Sequence, residues 1–327
     1  MALSVRHATI PIVVAHLNDV EWSGLFHAGG PACDTPRHLA ALRGNDARAF
    51  AVGYSHLWST TLRREGRAWP ATAPTALIVV ELLDDPLLGP DDPSLRDAML
   101  VHLYAVGIAA DLGDHAAELR ARVGERTPEL RSWTDEYLSA DVNGRSRMWQ
   151  DGTGLGELVL DQAALACFDL VPTLLRRTLP YLASKRARRR TCAAAAIGSL
   201  AGHPSAMTQH SALLEQLMSV ARAAETPYDL GTILVAIGHL GGDTRPWLTD
   251  PHEGVRGCAA LAPDLGGDDT ADRVLLELAR SPRAFGESFG DMAPPLQFQF
   301  EPYQDLLAPG PLRRVGGAGR TAPGGPS

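Results

Sequence analysis

Three groupings of side chains in this sequence have types and spacings that could support chemistry. Closely spaced glycines, as in Gly152-Thr-Gly-Leu-Gly156, let backbone N–H groups converge on a phosphate. The spacing here is neither G-x-G-x-x-G nor a Walker A, and no strand precedes it, so a turn ahead of the following helix is the better reading. Asp264, Asp268, Asp269 and Asp272 could gather around a cation, but they bracket Gly266-Gly267 as helix caps and turn formers do. Trp149 stands between cationic Arg145 and Arg147 and acidic Asp151, and an aromatic face beside guanidinium groups suits a planar or acidic ligand. With His56 added, the candidate ligand-binding residues are Trp149, Arg147, Arg145 and His56. Trp149 would serve equally well to cover a helix end.

A different chemistry is suggested by charge. Between Val171 and Leu214 there are seven basic residues and no acidic one, and Arg186, Arg188, Arg189 and Arg190 form a possible anion patch. Charge runs more often solvate a helix start. The formal net charge of −8 argues against a general nucleic-acid binder, whose affinity comes from clustered positive charge. Cys33, Cys167, Cys192 and Cys258 are widely separated, with no CxxC and no paired histidine, so no metal site is expected. No G-x-S-x-G, HExxH or Cys-His signature occurs. The catalytic residues are therefore left unassigned, no cofactor is expected, and the balance lies against an enzyme.

The elements that must position these residues are helices. The chain has 327 residues, 45% of them hydrophobic but only 6% aromatic, which suits helix-on-helix packing in an all-α protein. Ala-rich blocks recur at Ser184 to Ala201 and Pro251 to Pro263, each followed by a second apolar helix, as in stacked helix pairs. The expected organisation is an N-terminal cap segment (1–35), first helix pairs (36–112), an irregular insertion of loop character toward its end (113–156), further pairs (157–282) and a Pro/Gly-rich tail (283–327). In that tail 15 of 45 residues are Gly or Pro, so most of it is expected to be disordered. Leu296 to Phe300 alternates apolar and polar and is either an extended cap docked on the last repeat, the favoured reading, or a partner-binding strand. The apolar run Ile10 to Ala15 is too short for a signal sequence or a membrane span, so a cytoplasmic protein without membrane contact is expected.

An ordered set of blocks upstream is more specific. It runs Asp19-Val-Glu-Trp22, His27-Ala-Gly-Gly-Pro-Ala with Asp34-Thr-Pro36, Leu57-Trp58, Gly66-Arg-Ala-Trp69-Pro-Ala-Thr72, then Ala76-Leu-Ile-Val-Val-Glu81. With the helix pairs downstream, this resembles the HEAT-repeat superfamily, specifically an uncharacterised actinobacterial group, departing from it at Arg64-Glu-Gly-Arg67 and His27-Ala-Gly-Gly30. The resemblance implies an armadillo-type α-solenoid in a right-handed superhelix and implies no activity. HEAT-type di-iron hydroxylases need several facing His-Glu pairs, and His252-Glu253 is one pair.

Three functions compete. The first is a non-catalytic scaffold whose concave face binds a protein or peptide. The second is a cofactor-free enzyme or small-molecule binder of an actinobacterial specialised-metabolite pathway, with a closed pocket near Trp149, Arg147 and His56. The third is a HEAT-type DNA-lesion protein resembling the alkylpurine glycosylases, which would need a basic concave face with aromatics.

Overall fold

The computed structural model describes residues 17–44, 46–62, 67–88, 92 and 94–290. The tail segments Leu296 to Phe300 and Gly310 to Ser327 and the run Ile10 to Ala15 lie outside the described residues. Helix makes up 74% of the described residues and strand 3%, so the protein is all-α as its composition predicts. One stretch, Leu155–Ala183, is long and apolar enough to cross a bilayer, and with 56% of its apolar window buried it packs as a core helix.

Helices begin where the sequence supplies caps. Asp46 accepts from Arg48 and Ala49 N–H, Thr226 from Asp229 N–H, His252 from Val255 N–H, and Asp268 from Thr270 and Ala271 N–H. Asp268 is thus a cap, as its place beside Gly266-Gly267 predicts. The main helices are α1 (Thr35–Ala41), α2 (Ala47–His56), α3 (Thr72–Leu82), α4 (Ser94–Ala109), α5 (Ala116–Glu125), α6 (Thr127–Ser139) and α7 (Val142–Met148). Then come α8 (Leu155–Thr178), α9 (Ala187–Leu200), α10 (His210–Arg222), α11 (Pro227–His239), α12 (Glu253–Ala260), α13 (Asp269–Ala279) and α14 (Pro282–Glu287).

The interval 113–156 is helical around Ala116 to Val123 and Leu130 to Tyr137, where the sequence suggests short helical pieces, and departs from expectation in the stretch that follows. It holds α5, α6 and α7, with Arg145 and Arg147 on a helix rather than in a loop. Asp141 starts α7 by accepting from Gly144 N–H, and Arg145 Nε donates back to the Ala140 carbonyl at 2.9 Å. Only the short turn before α8 keeps the glycine character, with Gly152 and Gly154 at positive φ.

Packing centres on α9. It lies against α4 on one side and α11 on the other, α11 then touches α12, and α8 and α10 lie across this row. Asp97 near the start of α4 accepts from Arg189 near the start of α9 at 2.9 Å, and Thr191 of α9 donates to Asp229 near the start of α11 at 2.7 Å. Helix starts therefore sit beside helix starts, and α4, α9 and α11 run parallel. Toward the other end the backbones come close enough to exclude side chains. A Cβ on Gly198 would fall 2.6 Å from the Ala236 Cβ, and one on Gly238 would fall 2.8 Å from the Ala262 Cβ. Residues 191–198 and 231–238 are all buried, as a helix covered on every side must be.

His102 of α4 is fully buried, and neither ring nitrogen hydrogen-bonds to a described residue. The Trp58 ring meets it edge-on at a centroid distance of 5.7 Å. Burial pushes its pKa from 6.5 down to about 3, so the folded protein holds it neutral.

Two predictions arise from this packing. Ala194→Leu and Gly198→Ala should each overpack the α9 contacts and cost about 1–3 kcal/mol in urea unfolding. Gly124→Ala, in α5 with nothing within 4 Å of the new Cβ, should leave stability unchanged or raise it. For His102 the unfolded chain binds a proton at pH values where the folded chain does not. Its contribution is complete above pH 6.5 and falls as pH drops from 6.5 toward about 3, at about 1.4 kcal/mol per unit. His102→Leu should flatten the acid slope of stability, measured by urea unfolding at several pH values.

Candidate functional site

A two-residue hairpin divides the N-terminal region into two chemical environments. β1 (Phe26–His27) pairs antiparallel with β2 (Gly30–Pro31), and Gly30 takes φ +117°, which an L side chain rarely adopts. Successive strand residues point to opposite faces, so Phe26 and His27 part company. The Phe26 carbonyl accepts from Ala71 N–H at 3.2 Å, which fixes the hairpin beside the start of α3.

On the Phe26 face lies an aromatic core. Phe26 meets Trp69 at 5.9 Å, Trp133 at 6.2 Å and Tyr137 at 4.3 Å between ring centroids. Trp149 joins it edge-on, 5.3 Å from Trp133, 5.8 Å from Trp69 and 6.0 Å from Tyr137. Trp149 is therefore half-buried in packing that ties α7 to the hairpin. Arg145 lies over the Tyr137 ring at 5.8 Å, with its guanidinium in the space a side chain at Gly30 would occupy. Arg147 is exposed. Of the four predicted ligand-binding residues, Trp149 and Arg145 come together, Arg147 stands outward, and His56 belongs to the other face.

On the His27 face three imidazoles surround one carboxylate. Gly29 N–H donates to His27 Nδ1 at 3.0 Å, so the ring carries its proton on Nε2 and donates it to Asp34 Oδ1 at 2.9 Å. Asp34 precedes α1, and His38 four residues on lies on the same side of that helix, its Nε2 3.8 Å from Asp34 Oδ2. His56, the last residue of α2, stacks on His38 at 4.2 Å, meets His27 edge-on at 5.0 Å, and shares a 3.0 Å hydrogen bond with the Thr35 hydroxyl through Nε2. Burial lowers the His56 pKa to about 4, helped by positive charge on His38 and opposed by Asp34. His38 is lowered by burial and by Arg37. Burial alone would raise the Asp34 pKa, but the His27 hydrogen bond and the surrounding imidazoles hold it below the usual carboxylate value. The arrangement is one carboxylate facing imidazoles, whose ring nitrogens are electron-pair donors in the neutral state.

His27 and Asp34 belong to the upstream signature blocks, but neither they nor His38 were among the candidate site residues read from the sequence. Positions 27, 34, 38 and 56 form no local motif, and only the Asp34/His38 spacing of four carried a signal. The expectation that no metal ligands exist rested on cysteine spacing and did not test histidines brought together by folding.

The possible anion patch is spent on internal pairs. Arg189 lies 2.9 Å and Arg186 3.6 Å from Asp97, Arg190 lies 3.1 Å from Glu225, and Arg188 stacks over Tyr228 at 4.6 Å. The acids come from α4 and from the turn before α11, beyond the acid-free stretch that suggested a patch. Cys167, Cys192 and Cys258 are buried free thiols; burial pushes Cys167 and Cys192 up to about 12, far from the thiolate form. No protein family matches the chain by its sequence profile, and no curated protein and no solved structure matches it.

The different settings of Trp149 and Arg147 give separable expectations. Trp149→Ala should open the aromatic core and cost about 2 kcal/mol or more in urea unfolding. Arg147→Ala should change stability by no more than about 0.5 kcal/mol.

Proposed function

We propose that the chain is a non-catalytic binding scaffold, an armadillo-type stack of HEAT-like helix pairs in a right-handed superhelix, which presents an extended helical surface to a protein or peptide partner. The observation that carries this reading is the parallel row of α4, α9 and α11, whose members approach one another as the helices of stacked pairs do. The two best-formed concavities hold about 80 and 10 Å³, where a small-molecule site needs roughly 300 Å³ or more. The parallel row α4–α9–α11, joined through Gly198 and Ala236, supports the repeat reading. Because α9 and α11 are buried along their lengths, the partner surface in this reading lies on the exposed faces of α10 and α13 rather than on the central row.

The small-molecule reading loses support from the packing of Trp149 within the aromatic core. The lesion-binding reading loses support from the pairing of Arg186, Arg189 and Arg190 with carboxylates. A cytoplasmic setting agrees with three buried free thiols.

Native mass spectrometry of the full chain recovered from its host should reveal a bound polypeptide. Glu215→Arg with Glu277→Arg, on the exposed sides of α10 and α13, should weaken its capture by at least about tenfold in a folded protein. A bound species of metabolite size, or capture unchanged by the double variant, would overturn the reading.

A further inference from the structure

We propose that His27, Asp34 and His56 form a binding site for a divalent first-row transition-metal ion of the zinc type. Each side chain offers one ligand atom, and the three atoms lie within 4.8 Å of one another. Bonds from a zinc ion to imidazole nitrogen and carboxylate oxygen are about 2.0–2.2 Å, so three donors around one ion sit roughly 3.3 Å apart. A contraction of up to about 1.5 Å brings the three onto one ion. Two imidazoles and one carboxylate suit zinc and its neighbours, whereas magnesium and calcium require oxygen donors.

The donors come from three places in the chain: β1, the residue before α1, and the end of α2. Before an ion binds, two of the three are held by neighbours, His56 by the Thr35 hydroxyl and Asp34 by His27. Access is one-sided. The Asp34 side chain is 43% exposed and that of His27 4%, so an ion enters over the carboxylate and keeps a coordination position open to water.

Metal binding requires a proton to move within His27. Without metal, Gly29 N–H points at Nδ1 and the proton sits on Nε2. With metal on Nε2 the proton belongs on Nδ1, where the Gly29 N–H would oppose it. Rotation of the Ala28–Gly29 peptide removes the conflict by turning the Ala28 carbonyl toward Nδ1 as an acceptor. Both residues are exposed and neither has positive φ; the rotation converts the turn toward type II, with positive φ at the second central residue. That residue is Gly29, where positive φ carries no Cβ penalty. The histidine proton is conserved, passing from Nε2 to Nδ1, and the Nε2 hydrogen bond to Asp34 is exchanged for the metal.

The test is a cobalt(II) titration of the chelator-stripped full chain near neutral pH. One equivalent of cobalt should produce visible ligand-field absorption, and added zinc should displace it. Asp34→Asn keeps an oxygen acceptor for His27 and removes the charge. It should weaken cobalt binding by more than about tenfold, the size expected even for supporting groups of a metal site, with an unchanged far-UV circular dichroism spectrum. Gly29→Ala, at an exposed turn position, should weaken it by about tenfold through the cost of positive φ. His56→Gln should abolish it, and should that variant fail to fold, the half-exposed Asp34 decides the matter. No ligand-field absorption in the parent chain, or binding indifferent to Asp34→Asn, would overturn the proposal.

Discussion

The structure depends on how closely helices can approach α9. At Gly198 and Ala236 the backbones of α9 and α11 are in contact, and a methyl group at Gly198, or any side chain larger than methyl at Ala236, would separate them. Alanine and glycine therefore fill the contact surfaces, and residues 191–198 are buried on every side. Close parallel packing places the first turns of neighbouring helices together, where their unpaired backbone N–H groups favour nearby carboxylates. Asp97 and Asp229 occupy those places, and Arg186, Arg189 and Thr191 supply their partners. The basic run near the start of α9 is thus a consequence of the stacking: a buried carboxylate without a partner would be far more costly than the ion pair that satisfies it.

The row buries aliphatic side chains beside its alanines, among them Leu100, Leu103, Ile197, Leu234 and Ile237, and a separate aromatic cluster lies beside the N-terminal hairpin. The cluster of Phe26, Trp69, Trp133, Tyr137 and Trp149 fastens the hairpin and α6–α7 to the start of α8. Edge-to-face and offset contacts of this kind contribute about 0.5–1.5 kcal/mol each beyond the apolar area they bury. Such an anchor can hold the reverse face of the same hairpin in register. His27 then meets Asp34 and His56 because Phe26, one residue earlier, is held in the aromatic core.

Much of this was legible in the sequence, for physical reasons that differ by element. The helical class followed from Ala-rich periodicity and scarce aromatics, the Ala-rich blocks Ser184 to Ala201 and Pro251 to Pro263 enclose α9 and α12, and Asp268 caps α13 as its place beside Gly266-Gly267 predicts. Helix α7 was missed because its start depends on Asp141 reaching Gly144 N–H and Arg145 reaching back to Ala140, which a glycine-containing polar stretch conceals. The role of Trp149 was ambiguous because local neighbours do not reveal aromatic partners up to 80 residues away, such as Trp69. The arginines misled for the opposite reason: their carboxylates lie on other helices. The histidine site was illegible because its members lie on separate elements and only the hairpin, α1 and α2 together bring them into reach.

These constraints also explain where chemistry can reside in this chain. Helices in backbone contact, with every side chain between them buried, leave no room for a chamber and little freedom to open one, since overpacking and cavity formation both cost stability. Polar groups at their first turns are already committed to one another. Side chains able to ligate an ion come together where the chain departs from the stack, and the hairpin with its adjoining short helices is such a departure. There Asp34 keeps contact with water while the imidazoles it faces are buried. Burial keeps His38 and His56 neutral rather than cationic near neutral pH, the state in which an imidazole can donate an electron pair. The same packing that removes binding capacity from the centre thus preserves it at the N-terminal edge.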